Sequence, residues 1–411
     1  QNISRQNMKI LFVNKFFFIK GGAETVFFQE RDAMLQAGYQ VVDFSMQHAE
    51  NKPSPWESFF VHNVDYHQNH GLTGKLKAGI DFIYNAEACS KLNTLLLAQR
   101  PDIVHFHNIY HQLTPALIGV AKRFGCKTVL TAHDYKIVCP SYTMLRDGHV
   151  CDDCLTGSVS NAFRHRCQQG DTFKSLLLSL EAYWQKFAQN YAMLDCIIAP
   201  SEFMRQTLLR KLPRSRIETI VNGIDASATI PGDTAGDYFL YIGRLSREKG
   251  VATLALAQQK MRQMMPLKIV GDGPLGNDLR ARFSGPEFLG YMRHGEALNA
   301  LIRGARAVIV PSEYYENCSM SVLEAMAFGR PVVGGNIGGI PEQIRDGIDG
   351  YLVEPGDADA LARIMDGLAA NPQQAREMGI NARQRLEEKY DLARHMQVLQ
   401  ELYQQLVGEA K

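Results

Sequence analysis

Short runs that are apolar throughout recur along the chain, and segments of helical spacing separate them. Lys9-Ile-Leu-Phe-Val13 opens the series. A run of that length fits a strand covered on both faces within a parallel sheet. Residues 23–37 then place Val26, Phe27, Glu30 and Met34 at helical spacing and stop at Gly38, a good C-terminal glycine. Gln40–Phe44 predicts the next strand, and Asp102–Phe106, Thr128–Thr131 and Cys196–Ala199 continue the rhythm. Tyr238–Ile242 restarts it, followed by Leu267–Val270, Ala307–Val310 and Pro331–Gly334. Strands alternating with helices predict the α/β class, with doubly wound parallel sheets and right-handed crossovers. An internal echo points to a duplicated architecture: Ile197-Ile-Ala-Pro-Ser-Glu-Phe203 resembles Val308-Ile-Val-Pro-Ser-Glu-Tyr314. Each copy reads as a buried strand running into a Pro-Ser-Glu helix start, with Ser201 or Ser312 as the cap. Residues 222–237, rich in Gly, Asp, Ala and Thr, form the best linker. Two Rossmann-like domains follow, with ligands expected at the strand C-terminal ends.

Composition removes several alternatives. At 411 residues the chain has room for two or three domains. Hydrophobic residues at 45% and charged residues at 21% are those of a globular chain, which rules out disorder. Lys plus Arg number 44 against 43 Asp plus Glu, a balance that argues against a nucleic-acid partner. No apolar stretch approaches the roughly 18–20 residues that span a bilayer. Residues 1–7 are polar and lack the apolar core of a signal peptide, so a natural start is expected at Met8. The eight cysteines are accordingly expected in a reducing cytoplasm.

The candidate chemistry sits at strand ends. Gly21-Gly22-Ala23-Glu24 lies between the first strand and first helix, where glycines admit a close ligand and the helix start offers N–H groups to an anion. An ordinary glycine turn fits it equally well. Gly243-Arg244-Leu-Ser-Arg-Glu-Lys249-Gly250 brings cations to a glycine-bounded loop and suits a diphosphate. Gly271-Asp-Gly273-Pro-Leu-Gly276 spells a dinucleotide fingerprint. Pro274 stiffens it, however, and Glu287 about 20 residues on follows no clear strand, so it reads as a structural loop. The sharpest feature is Glu316-Asn-Cys-Ser-Met-Ser-Val-Leu-Glu324, two carboxylates eight residues apart across a helix entered through Ser319 and Ser321. Such carboxylates can grip sugar or ribose hydroxyls. His105 and His107 alternate on one strand and so share a face. Core packing and an acceptor-lining role are both open for them.

These segments resemble the retaining glycosyltransferases of family 4, which have the GT-B fold. The resemblance rests on Gly243-Arg-Leu with Glu248-Lys-Gly250, on Val270-Gly-Asp-Gly-Pro274, and on Glu316 and Glu324 followed by Ala325-Met-Ala-Phe-Gly-Arg-Pro-Val-Val333. Gly21-Gly-Ala-Glu24 and Asp102-Ile-Val-His-Phe-His-Asn108 match the family's amino-terminal half. It implies that Arg244 and Lys249 neutralise a nucleotide diphosphate, with Gly22 beside it. Glu324 would bind ribose hydroxyls, and Glu316 would hold the transferred sugar at its anomeric carbon. Asn317, Cys318, Ser319 and Met320 would offer backbone N–H groups to phosphate. The Tyr291-Met-Arg293 loop would lie against the base, and His133 would contact the donor sugar in a catalytic-support role. His107 and Asn108 are the acceptor-side candidates. Many relatives have Glu-Gly-Phe-Gly where this chain has Glu316-Asn-Cys-Ser319, which leaves the donor sugar open. The implied division is residues 8–224 plus 393–411 for the acceptor domain and 225–392 for the donor domain. The last helix, near 393–406, would cross back onto the first. No covalent nucleophile and no catalytic metal or other cofactor are implied; cations and helix N-termini supply the positive potential.

Cys139, Cys151-Asp-Asp-Cys154 and Cys167 fall within 29 residues, in an insertion at about 135–170. One C-x2-C knuckle with two flanking cysteines suits a structural zinc site, and His165 could replace one thiolate. A reduced, metal-free cluster or a redox pair is equally open. Cys89, Cys126, Cys196 and Cys318 read as isolated small apolar residues. Residues 173–192 carry Leu176, Leu177, Leu180, Tyr183, Trp184 and Phe187 on a long amphipathic helix. A core-facing stripe is the first reading; a membrane-surface face for a lipid-linked acceptor is the second, with Lys174 and Lys186 in mind. The expected function is transfer of a hexose, from GDP-mannose or a UDP-hexose, to a glycan or polyprenyl-linked acceptor in surface-polysaccharide or O-antigen synthesis. It would act in the cytoplasm or peripherally on the inner face of the membrane. A nucleotide-sugar epimerase and a non-catalytic zinc-bearing sugar-binding protein are the rivals, with an NAD-dependent dehydrogenase last.

Overall fold

The computed structural model describes residues 8–63 and 79–409. Twelve strands form two parallel six-stranded sheets. The first holds β1 (Lys9–Val13), β2 (Gln40–Phe44), β3 (Ile103–Phe106), β4 (Lys127–Thr131), β5 (Cys196–Ala199) and β6 (Ile217–Thr219) in the order β2-β1-β3-β4-β5-β6. The second holds β7 (Phe239–Ile242), β8 (Leu267–Val270), β9 (Glu287–Gly290), β10 (Ala307–Val310), β11 (Val332–Gly335) and β12 (Gly350–Val353) in the order β9-β8-β7-β10-β11-β12. Both are Rossmann-like, as expected. The apolar runs are continuous because helices cover both sheet faces: on β1, Leu11 and Val13 enter one core while Ile10 and Phe12 enter the other.

The helices that matter for the site are α1 (Gly22–Gln36), α2 (Thr172–Ala188), α3 (Met320–Ala327) and α4 (Leu392–Gly408). Helix α1 ends where Gly38 adopts φ +89°, and Tyr39 N–H returns to Met34 O (3.1 Å) to close the turn. Helix α4 buries Met396, Leu399, Leu402 and Tyr403 against Ile10, Phe12 and Ile198 of the first sheet. The chain thus crosses between the sheets twice. The crossings lie side by side, with Ile224 N–H donating to Tyr390 O (2.9 Å) and Leu392 N–H to Ile224 O (3.0 Å).

Three readings change. Strands β6, β9 and β12 were not predicted; all are short and only partly buried, so they lack a continuous apolar run. A strand therefore does follow the Gly271–Gly276 loop, but Glu287 stands at its start, away from the ligand edge. The echo diverges after its shared Pro-Ser-Glu: Ser201 Oγ caps a helix by accepting from Met204 N (3.2 Å), whereas the chain after Ser312 stays irregular up to Met320. The α2 stripe is not core. Phe173, Leu176, Leu180, Tyr183, Trp184 and Phe187 are exposed, Phe187 by 80%. The buried face carries Ser175, Leu178, Ser179, Glu181 and Gln185 instead. Glu181 explains the inversion, because it pairs with the buried Lys136 at 2.7 Å.

Candidate active site in the interdomain cleft

A cleft of about 470 Å³ opens where the strand C-terminal ends of the two sheets face each other, large enough for a nucleotide-sized ligand. Its floor comes from loops after the neighbouring strands β7 and β10, the switch point of the second sheet. Glu313 N–H donates to Glu248 O (2.8 Å), tying these loops together. Gly250 sits at φ +69° with Pro311 O packed where a Cβ would stand, so this position needs glycine.

Lys249 Nζ lies 2.7 Å from Glu316 Oε1 and 2.9 Å from Tyr314 Oη. Ser312 Oγ donates to Oε1 and Tyr314 Oη to Oε2 of the same carboxylate, each at 2.9 Å. Burial works to raise the Glu316 carboxyl, but Lys249 and the two hydroxyls outweigh it and hold it below the ordinary range. Glu316 is therefore a fixed, ionised group. Burial lowers Lys249, and Glu316 with Tyr314 more than reverses this, so the ammonium stays charged. Arg244 lines the cleft with an exposed guanidinium.

Asn317, Cys318, Ser319 and Met320 line the cleft beside Glu316. Ser319 N–H is already donated to the buried Gln343 Oε1 (2.9 Å), which removes it from the donors offered to phosphate. Asn317 Nδ2 donates to His133 O across the domains (2.6 Å). Glu324 does not line the main cleft. It faces the loop after β9, with His294 Nδ1 at 3.7 Å; Arg293 in that loop is exposed. Burial alone pushes the Glu324 carboxyl up to about 7.

The first domain supplies the roof. Gly22, at the start of α1, stands where a Cβ would meet Met320 Cγ at 3.3 Å. His133 lines the cleft and bonds through Nε2 to His107 Nδ1 (2.8 Å). Burial pushes His133 down to about 4, so it faces the cleft as a neutral hydrogen-bonding group. His107 is 2% exposed, with its other nitrogen 3.5 Å from Glu30 Oε2. It supports His133 from behind and does not line the main cleft, opening only onto a small cavity of about 20 Å³ shared with Asn108 and His133. Asn108 stands next to it, its backbone N–H donated to Asn14 Oδ1 (3.0 Å).

Sequence reasoning missed what lies behind the histidines. Glu30 accepts from His395 of α4 at 3.0 Å, and His105 bonds Tyr403 Oη (2.6 Å) and Thr131 Oγ1 (2.8 Å). Burial opposes charge on both Glu30 and His395, yet their contact lowers the one and raises the other. Glu30, His105 and His107 place ligand atoms within 4.8 Å of one another, but both His105 nitrogens are engaged, and the group reads as a hydrogen-bond network. Glu30 showed in the sequence only as a polar residue at a core-facing position of α1. Tyr314 and Ser312 were also missed; both belong to the echoed segment that fails to become a helix.

A family model described as Glycosyltransferase Family 4 matches residues 20–228, just over half of the chain, and one described as Glycosyl transferases group 1 matches residues 236–371. An alpha-maltose-1-phosphate synthase from Mycolicibacterium smegmatis is 28% identical over 246 residues, covering 52% of this chain and 63% of that protein. An O-antigen chain mannosyltransferase C from Escherichia coli is 33% identical over 172 residues, covering 40% of this chain and 45% of that protein. The chain thus spans less than two thirds of these curated relatives. Sucrose-phosphate synthase from Thermosynechococcus elongatus shares the fold, with a TM-score of 0.73 at 19% identity, over 98% of this chain and 100% of that one.

Proposed function

The chain belongs to the family 4 glycosyltransferases, and from that premise we propose that it moves a hexose from a nucleoside-diphosphate sugar to a glycan or lipid-linked acceptor with retention of anomeric configuration. The observation that carries this reading is the fixed Lys249–Glu316 pair beside the exposed Arg244, facing His133 across the cleft. Arg244, Lys249 and the start of α3 supply positive potential where a departing diphosphate gathers charge. Glu316 is pinned by three donors, so it can hold a sugar without reorganising. Neutral His133 offers the sugar a hydrogen bond. The acceptor oxygen bonds to the anomeric carbon on the face from which the diphosphate oxygen leaves, and that departing phosphate takes the acceptor's proton, so no side chain need act as covalent nucleophile or as general base.

GDP-mannose and a UDP-hexose are the leading donors, and assembly of a surface polysaccharide on a lipid carrier in the cytoplasm is the setting. Among the described residues no helix is long and apolar enough to cross a membrane. The exposed apolar face of α2, with Lys174 and Lys186 on the same helix, supports peripheral contact with an anionic leaflet.

Thermal shifts with GDP, UDP and their sugars, on the native chain and on Arg244→Ala, test the reading. A ligand at 100 times its Kd adds about 2.7 kcal/mol, enough for a shift of several degrees. One nucleotide should shift the native chain and fail on the variant. In parallel, Glu316→Gln should keep nucleotide affinity while turnover falls about 100-fold or more. No shift with any nucleotide would overturn the donor-site assignment.

A further inference from the structure

The insertion between β4 and α2 is held by very little ordinary structure. Its regular elements are a hairpin of two-residue strands (Leu145–Arg146 and His149–Val150) and two single helical turns (Asp153–Thr156 and Asn161–Arg164). Tyr135, Val138 and Met144 anchor its start in the core of the first domain, but residues 145–171 bury only Cys154, Leu155 and Ala162, and a segment with so little core often needs disulfides or a metal. The chain has no disulfide here: all four cysteines are free thiols.

They nevertheless converge. Cys139, Cys151, Cys154 and Cys167 line one enclosed cavity of about 10 Å³, whose other walls include Val138, Met144 and Leu155. That is about one water-sized sphere, room for an ion. Separate turns deliver the four residues. Cys139 ends a turn through its N–H to Tyr135 O (2.8 Å), Cys151 follows the hairpin with its N–H on Met144 O (2.8 Å), and Cys167 N–H donates to Ala162 O (3.0 Å). Lys211 Nζ holds the Cys154 turn by donating to Cys154 O (2.6 Å) and Gly157 O (3.3 Å). His165 reaches the cavity wall, but its Nε2 is taken at the rim by Asp153 (3.1 Å) and Arg146 (3.3 Å). The four thiols are therefore the more direct ligand set, with only the other ring nitrogen of His165 left to compete.

We propose that Cys139, Cys151, Cys154 and Cys167 hold one structural zinc ion that orders the insertion as a wall of the cleft. Four sulfurs without an open position suit a closed tetrahedral zinc site. No three of them lie within 4.8 Å of one another, and tetrahedral Zn–S bonds of about 2.3 Å need sulfurs about 3.8 Å apart. Binding therefore draws the side chains inward around a cavity they already enclose.

The consequence for the cleft is direct, and this part rests on the transferase reading. Tyr142, Thr143 and Leu145 line the cleft opposite Arg244. The hairpin tip touches the diphosphate loop: Gly148, at φ +80°, stands where a Cβ would meet Arg247 at 2.5 Å. Without the ion this wall loosens, and donor KM should rise severalfold while the Lys249–Glu316 floor stays intact.

The test reads metal first and activity second, so the two readings fail separately. The whole chain, expressed in zinc-supplemented medium and purified without chelators, is analysed by elemental mass spectrometry, and native thiols are alkylated before and after chelation. About one zinc per chain is expected, with these four cysteines protected until the chelator removes the ion. Cys151→Ser and Cys154→Ser should lose the metal, and Cys89→Ser should keep it. A metal-free chain whose four thiols alkylate at once, a Cys151–Cys154 disulfide, or iron in place of zinc would each overturn the assignment. Should the serine variants fail to fold, the protection pattern of the native chain still decides. Zinc present with no nucleotide binding would leave the site standing and sink only the transferase reading.

Discussion

Glu324 offers a direct conflict between stability and function. Its carboxyl is held up to about 7 from an ordinary 4.5, by burial alone. The sign follows from linkage. A carboxyl raised in the folded state keeps its proton where the unfolded chain has lost it, so stability is fully present below 4.5 and falls away as pH rises towards 7. The shift amounts to about 3 kcal/mol above pH 8. That is an upper bound, because the Glu324 side chain is still 18% exposed and solvent screens part of its charge. Glu324→Gln keeps the size and removes the ionisation. At pH 8.5 the variant should therefore unfold on the order of 5 °C higher than the native chain, and the two should converge near pH 5. The same change removes the acceptor pair expected to grip the ribose hydroxyls, so nucleotide affinity should fall about tenfold or more. Thermal unfolding at several pH values and calorimetric titration with the preferred nucleoside diphosphate check both halves. Equal unfolding temperatures at pH 8.5 would refute the buried-charge argument. Undiminished affinity in a stabilised variant would refute the ribose role alone.

Lys249→Met leaves the Glu316 carboxylate buried without its cation, at a cost of about 2–3 kcal/mol since the lysine side chain is 27% exposed. Chemical denaturation should show this loss at pH 7 and less of it near pH 4, where Glu316 takes up a proton. Gly250→Ala forces a Cβ against Pro311 O at a positive φ; a loss of at least 1–2 kcal/mol is expected, and unchanged stability would show that the loop relaxes freely. Gly22→Val sets a branched side chain against Met320. If Gly22 serves closure, turnover drops about tenfold with nucleotide Kd unchanged. If it serves close approach to phosphate, as the sequence suggests, Kd rises in step.

The legible part of this chain was the part that packing controls. Central strands buried on both faces are apolar at nearly every position, so β1, β5 and β10 stood out as apolar runs and β3 broke only at the buried His105. Edge strands β6, β9 and β12 face solvent on one side and left no such trace. The cations and carboxylates of the floor could be read because they sit in loops directly after central strands. The α2 face was misread because helical spacing marks an apolar stripe without saying what lies opposite. There a buried Lys136–Glu181 pair, formed across 45 residues of sequence, turns the polar side inward. The network behind His133 was illegible for the same reason. Glu30, His107 and His395 meet only after α4 crosses back, and a single polar residue at a core position gives no hint of its partner.

What the two domains contribute differs in kind. Every group that fixes Glu316 comes from one short stretch or its neighbouring loop: Ser312, Tyr314 and Lys249. The floor therefore needs nothing from the first domain to hold its charge. The roof depends on assembly, because His133 is backed by His107, then by Glu30, then by His395 on a helix that arrives from the second domain. Polar ties across the cleft include Asn317 to His133 O and Glu342 to the Glu202 and Phe203 amides. Such hydrogen bonds are each worth only about 1 kcal/mol net, somewhat more where a carboxylate accepts. Water can replace them when the domains part, whereas nothing could replace Lys249 beside a buried carboxylate. The polar ties that break on opening are thus the weak ones, and the electrostatics that binds a diphosphate survives it.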